Sequence, residues 1–164
     1  MTVGTQRASS LFSITAIVVS MTLVAIGNGI MLAYVPYVLS RADAPSWTPG
    51  AAVTAIAFGG LLGCILAGPV IRRVGHARAF SCSMALVLIA AFLIALGVHP
   101  ILWIVARGIY GVAGNANFII AQSWLNHAAD NRWRGKAMSF FYMAYVLGLG
   151  VCAWLFGRMP AGWN

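Results

Sequence analysis

Glutamate is absent from these 164 residues, and only two aspartates occur, Asp43 and Asp130. Charged residues of either sign make up 7% of the chain, against 62% hydrophobic. Soluble domains carry about 25% charged residues, so a chain this poor in charge has too little polar surface to stay dispersed in water. The scarcity of acid also limits chemistry. No carboxylate pair lies within an apolar segment, and no HExxH or Ser–His arrangement sits there, which leaves an intramembrane enzyme without its reacting groups. The net charge of +8 is dispersed between apolar runs and forms no continuous basic stripe, which excludes a nucleic-acid binder. The three cysteines, Cys64, Cys82 and Cys152, lie in separate apolar runs with no CxxC pairing. They read as small buried apolar residues, with no disulfide, metal or cofactor site.

What the chain has in abundance is uninterrupted apolar sequence. Residues 8–40, 44–71, 79–98 and 137–157 contain no charge, and 101–126 contain one, Arg107. Crossing the hydrocarbon core takes ~20 residues. Within lipid the backbone must satisfy its own hydrogen bonds, so each run is expected to be a helix. The expectation is an all-α membrane protein with five transmembrane helices at about 11–39, 47–71, 79–98, 101–125 and 137–157. Residues 1–10 form a cytoplasmic N-terminus, and 158–164 an extracytoplasmic tail. The first run is about twice the length of a signal-peptide h-region and continues through "YVPYVLSR", so it reads as a span. Pro36, Pro45 and Pro49 punctuate the connection to the second helix, and His99-Pro100 marks a tight turn between the third and fourth.

The few basic residues set an orientation. Arg7, Arg72, Arg73, Arg78, Arg132, Arg134 and Lys136 fall on one side of the expected bundle, and Arg41 and Arg158 on the other. By the positive-inside bias the N-terminus and the 2–3 and 4–5 connections are cytoplasmic.

Their spacing is more particular than orientation requires. Gly68-x-x-x-Arg72-Arg73-x-Gly75-x-x-Arg78 resembles the signature of the major facilitator superfamily, G-x-x-x-D-R-x-G-R-R-R, in the loop between its second and third helices. Gly68 suits close packing at a helix end, and Gly75 a turn that a Cβ would oppose. The family's aspartate is Arg72 here, and two later basic positions are His76 and Ala77. "RGIYGVAGN", 107–115, resembles the R-x-x-x-G pattern of the fourth facilitator helix. "QSWLNHAADNRWRGKAMSFFY", 122–142, resembles the segment leading into the fifth helix in a bacterial branch of the family. In that cytoplasmic 4–5 loop stand Asp130, Arg134, Gly135 and Lys136, while Gln122 and Arg132 occupy places where family members carry acids.

At 100° per residue, Arg107, Gly111, Gly114, Asn115, Phe118 and Gln122 fall within about 100° on one helix face. An arginine within a span is a functional candidate by default. Arg107, Gly111, Asn115 and Gln122, with Asn28 in the first helix, are the candidate substrate and cavity residues. For Arg107 three roles stay open: attraction of an anionic substrate, tuning of a proton site, and a structural arginine that bonds neighbouring carbonyls or snorkels to the outer interface. Asn28 serves equally as an interhelical hydrogen-bonding residue. Gly59-x-x-x-Gly63-x-x-x-Ala67 marks a face for close helix packing.

The resemblance implies a secondary transporter of a small solute, made of two six-helix halves, in the bacterial inner membrane. This chain is then expected to be an N-terminal portion, a partial six-helix half, whose partners are the bilayer, a small-molecule substrate and the C-terminal half. The competing expectation is a small five-helix membrane protein with a structural or partner-binding role.

Overall fold

A computed structural model describes residues 3–41, 45–97, 99–129 and 131–158. They form five α-helices: α1 (Val3–Arg41), α2 (Thr48–Val74), α3 (His76–Ala95), α4 (Pro100–Ala128) and α5 (Arg134–Gly157). No strand occurs among the described residues. Each helix contains a segment long and apolar enough to cross a membrane: Ile14–Leu39, Thr48–Val74, His76–Ala95, Pro100–Ala128 and Arg134–Cys152. The fold is all-α and suited to multiple membrane crossings.

Several helices run beyond the expected apolar limits. α2 continues through Arg72 and Arg73, α3 begins three residues early at His76, and α5 takes in Arg134, Gly135 and Lys136. Arginine and lysine are good helix formers, and hydrogen bonding of the backbone does not stop where the hydrocarbon does. The signature segment is therefore not a loop. Gly68, Arg72 and Arg73 belong to α2 and Arg78 to α3, with Gly75 alone between the helices. Pro36 lies inside α1 and Pro49 in the first turn of α2, where its missing N–H costs nothing, so Pro45 alone of the three stands between helices. Asp130 lies outside the described residues. The 3–4 turn bends at Leu96 and at Gly97, whose φ is +137°. The buried Trp103 indole secures it by donating to the Gly97 carbonyl at 2.8 Å.

The chain divides into two compact units, residues 39–123 and residues 1–38 with 124–164. In lipid there is no hydrophobic drive between helices, so association rests on close packing and interhelical hydrogen bonds. The first unit accordingly has a core rich in small residues, with Ala52, Ala67, Ala79, Ala90, Ala106, Ala113 and Ala121 buried, as are Trp103 and Ile120. Its outward surface carries Phe58, Leu61 and Ile65, the arrangement expected when the solvent is lipid. Cys64 and Cys82 are also on this surface, contrary to the burial expected for them; Cys152 is buried. In the second unit α1 and α5 meet at Gly29 and Gly148. A Cβ on Gly29 would stand 2.7 Å from the Leu149 carbonyl oxygen, and one on Gly148 3.1 Å from Ala25 Cβ.

Thr48, at the start of α2, is fully buried, and its hydroxyl has no hydrogen-bond partner among the described residues. Leaving such a group unsatisfied costs about 1–3 kcal/mol. Thr48→Val, which keeps the shape and removes the hydroxyl, is expected to raise the thermal midpoint of the detergent-solubilised chain. An unchanged or lowered midpoint would mean that the hydroxyl is satisfied.

Candidate functional site

The candidate residues of the fourth helix are set by how α4 divides its circumference. One side meets α2 through glycines on both helices. A Cβ added to Gly59 would collide with the Gly108 carbonyl, one on Gly63 with the Val112 carbonyl, and one on Gly111 with the Ile56 carbonyl. Asn115 lies over Gly60, where a Cβ would come within 2.6 Å of its Nδ2. The same Nδ2 donates to the Gly111 carbonyl at 3.2 Å. Gly111 and Asn115 thus stand at the α2–α4 contact, and the partner of the Gly59–Gly63–Ala67 face is α4.

A different side of α4 meets α3. Asn117 is fully buried, two positions and about 200° from Asn115. The Ser83 hydroxyl donates to Asn117 Oδ1 at 2.8 Å, with the Phe80 carbonyl 2.9 Å away as a second acceptor. Asn117 Nδ2 in turn approaches Met84 Sδ at 3.3 Å. Reading the sequence for a single polar stripe missed this clamp, because Asn117 lies off that stripe. The available signal was weak, since Ser83 and Asn117 share their runs with other polar residues, among them Ser81, Asn115 and Gln122. Towards the end of α4, Ser123 Oγ is hydrogen-bonded to His76 Nε2 at 2.9 Å, which ties the first residue of α3 to α4.

Arg107 lies angularly between these two faces. It is 5% exposed and seven residues into α4, about 10 Å along the helix, with Tyr110 within electrostatic reach. The next helix residue is Gly108, which begins the α2 contact. Gln122 is half-buried on the same helix. In the other unit Asn28 Nδ2 donates to the Tyr145 hydroxyl at 3.4 Å, linking α1 to α5. Tyr145 stacks on the buried Phe141 with ring centroids 6.5 Å apart. The described residues contain no cluster of three or more His, Cys, Asp or Glu able to hold a metal ion.

The helix ends complete the picture. Gly75 adopts φ +81° and ψ 165°, a conformation open in practice to glycine, and its N–H closes α2 on the Ile71 carbonyl at 2.9 Å. Arg72 folds back towards Gly68, with its Nη1 3.7 Å from where a Cβ would stand. Residues 10–164, nearly the whole chain, match the Major Facilitator Superfamily. The chain belongs to that family.

An uncharacterized MFS-type transporter of Yersinia pestis (strain Pestoides F) is 29% identical over 123 residues, covering 75% of this chain and 32% of its own length. Another from Enterobacter sp. (strain 638) is 27% identical over 128 residues, 77% of this chain and 33% of its own length. A third, from Salmonella enteritidis PT4, is 27% identical over 145 residues, 78% and 37%. The chain spans about a third of the length of the curated relatives it matches. No solved structure matches it significantly.

The signature segment of this chain departs from the family pattern in charge but keeps its glycine. Gly75→Val forces a β-branched residue into positive φ, a strain of about 1–3 kcal/mol. The yield of folded, monodisperse protein is expected to fall. Normal accumulation of Gly75→Val would remove the conformational reason for this glycine.

Proposed function

We propose that this chain forms helices of a secondary transporter that carries a small solute bearing an anionic group across a bacterial inner membrane, with its N-terminus in the cytoplasm. The observation that supports this reading is Arg107, almost wholly buried within a helix long and apolar enough to cross a membrane. Insertion scales put an arginine at a helix centre at about 2.5–3.5 kcal/mol unfavourable, and Arg107, seven residues into α4, bears part of that cost. A guanidinium retained there despite that cost is suited to meeting a negative charge, since its planar fork pairs bidentately with carboxylate or phosphate. Gln122, half-buried in the same unit, is the further polar residue assigned to the solute path. Gly111 and Asn115 serve it by holding α4 close to α2. The sidedness rests on the seven-to-two distribution of basic residues. The role is that of a carrier, without a catalytic step.

The test is transport by a full-length relative whose corresponding segment is replaced by residues 10–158, with Arg107 intact or changed to alanine. Anion uptake or efflux that depends on Arg107 supports the proposal. Equal transport per folded molecule in the two proteins overturns it.

A further inference from the structure

The residues at the ends of α5 play no part in the proposed path and form a separate set. Trp133 immediately precedes the helix and Trp154 lies in its last turn, 21 positions apart. That is about 32 Å along a helix, against a hydrocarbon core of about 30 Å. Each ring carries a cation: Lys136 Nζ is 4.8 Å from the Trp133 centroid, and Arg158 Cζ is 4.1 Å from that of Trp154. Tryptophan concentrates at the level of lipid headgroups, so the spacing suits the two ends of α5 to the two faces of a bilayer.

At the Trp133 end the surface is hollowed. A groove of about 560 Å³ is lined by Arg132, Gly135, Lys136, Ser139, Phe140 and Met143. From residue 132 onward these positions recur at three- and four-residue intervals along one face of the helix start. They change in order from two cations, through a hydroxyl, to two exposed apolar side chains. Gly135 leaves the middle open, with nothing within 4 Å of the place its Cβ would take. Arg132 and Lys136 have no anionic partner among the described residues, and the Ser139 hydroxyl no hydrogen-bond partner there.

We propose that this groove seats an anionic phospholipid. Its phosphodiester is held by Arg132, Lys136 and the Ser139 hydroxyl, and one acyl chain runs along Phe140 and Met143 into the hydrocarbon. The charge gradient matches a lipid from headgroup to tail. A free phosphate would use the two cations but leave the apolar half of the groove idle. A zwitterionic lipid would fit the apolar half and bring its own cation beside Arg132 and Lys136. A basic pocket on a helix at the membrane surface is a recurrent means of binding acidic headgroups.

The experiment is a titration of the detergent-solubilised chain with phosphatidylglycerol, phosphatidylcholine and inorganic phosphate, with retained lipid read by native mass spectrometry and stability by thermal midpoint. Phosphatidylglycerol is expected to be retained and to raise the midpoint, while phosphatidylcholine and inorganic phosphate at equal concentration do little. Arg132→Gln and Lys136→Gln are each expected to weaken retention about fivefold, and together about 25-fold, at roughly one surface charge each. Lys136→Arg should retain binding, and Arg73→Gln, on α2, should change nothing. Phe140→Ala is a second, uncharged variant, expected to weaken retention of the lipid. Equal retention of the two lipids, binding of inorganic phosphate as tight as that of the lipid, or retention unchanged in a folded Arg132→Gln/Lys136→Gln or Phe140→Ala protein would each overturn the assignment.

Discussion

Replacing Gly59 or Gly63 with valine is expected to separate α2 from α4 and to leave little folded protein. At both positions the obstacle is backbone, the Gly108 and Val112 carbonyls, which cannot swing aside as a side chain can. A Cβ is accommodated only if one helix moves, and the packed alanines of this unit, Ala52, Ala67, Ala106 and Ala113, then lose their contacts. Overpacking commonly costs about 1–3 kcal/mol, and a backbone clash between two helices belongs at the upper end. Loss is compounded in lipid, where close packing is itself the main attraction between helices. Gly27→Ala and Gly150→Ala give the comparison. Both glycines lie in helices with open space where a Cβ would go, so alanine adds helix propensity, up to about 1 kcal/mol, without a clash. Size-exclusion profiles and thermal midpoints of the four variants should divide sharply. Gly59→Val and Gly63→Val behaving like Gly27→Ala would mean that α2 and α4 are not in backbone contact.

The helices themselves were legible because crossing hydrocarbon leaves one backbone solution, and charge-free runs of the right length announce it. The small-residue face of α2 was legible too, since glycine at every fourth position lies on one side of a helix. Its partner was not. Spacing describes the face, and nothing in Gly59, Gly63 and Ala67 distinguishes α4 from another helix. The signature segment was legible as a motif and misjudged as structure. Three arginines and two glycines suggest a loop, yet arginine prolongs a helix readily, and the change of direction is confined to Gly75. Within α4, the single 100° stripe put Gly111 and Asn115 with Arg107 as cavity candidates, while the structure has both against α2. It also passed over Asn117, whose hydrogen bond to Ser83 joins residues 34 positions apart. Such long-range pairing leaves no trace in local periodicity. For Asn28 the sequence left two roles open, and the structure shows the hydrogen bond to Tyr145.

Arg107→Ala is expected to leave membrane insertion and folding intact and to abolish transport, or reduce it at least tenfold, in a full-length carrier. Removing the guanidinium lowers the cost of placing α4 in lipid by up to a few kcal/mol, so insertion has no reason to suffer. The space left is another matter, because Arg107 is buried and its alkyl stem packs as well as its charge. A purely structural arginine therefore gives a distinct result: less monodisperse protein in detergent, and normal transport by what remains. Arg107→Lys separates the two roles. Lysine keeps the charge and much of the stem but lacks the planar fork. If Arg107 meets an anionic solute, Arg107→Lys should transport partially, with apparent affinity weakened more than maximal rate. If the arginine only packs, Arg107→Lys should match the wild type once normalised to folded protein. Three quantities on the same three proteins decide between these roles: the monodisperse fraction, the thermal midpoint, and uptake or efflux per folded molecule across a range of solute concentrations. Wild-type transport by folded Arg107→Ala would leave this buried charge with a role in packing alone.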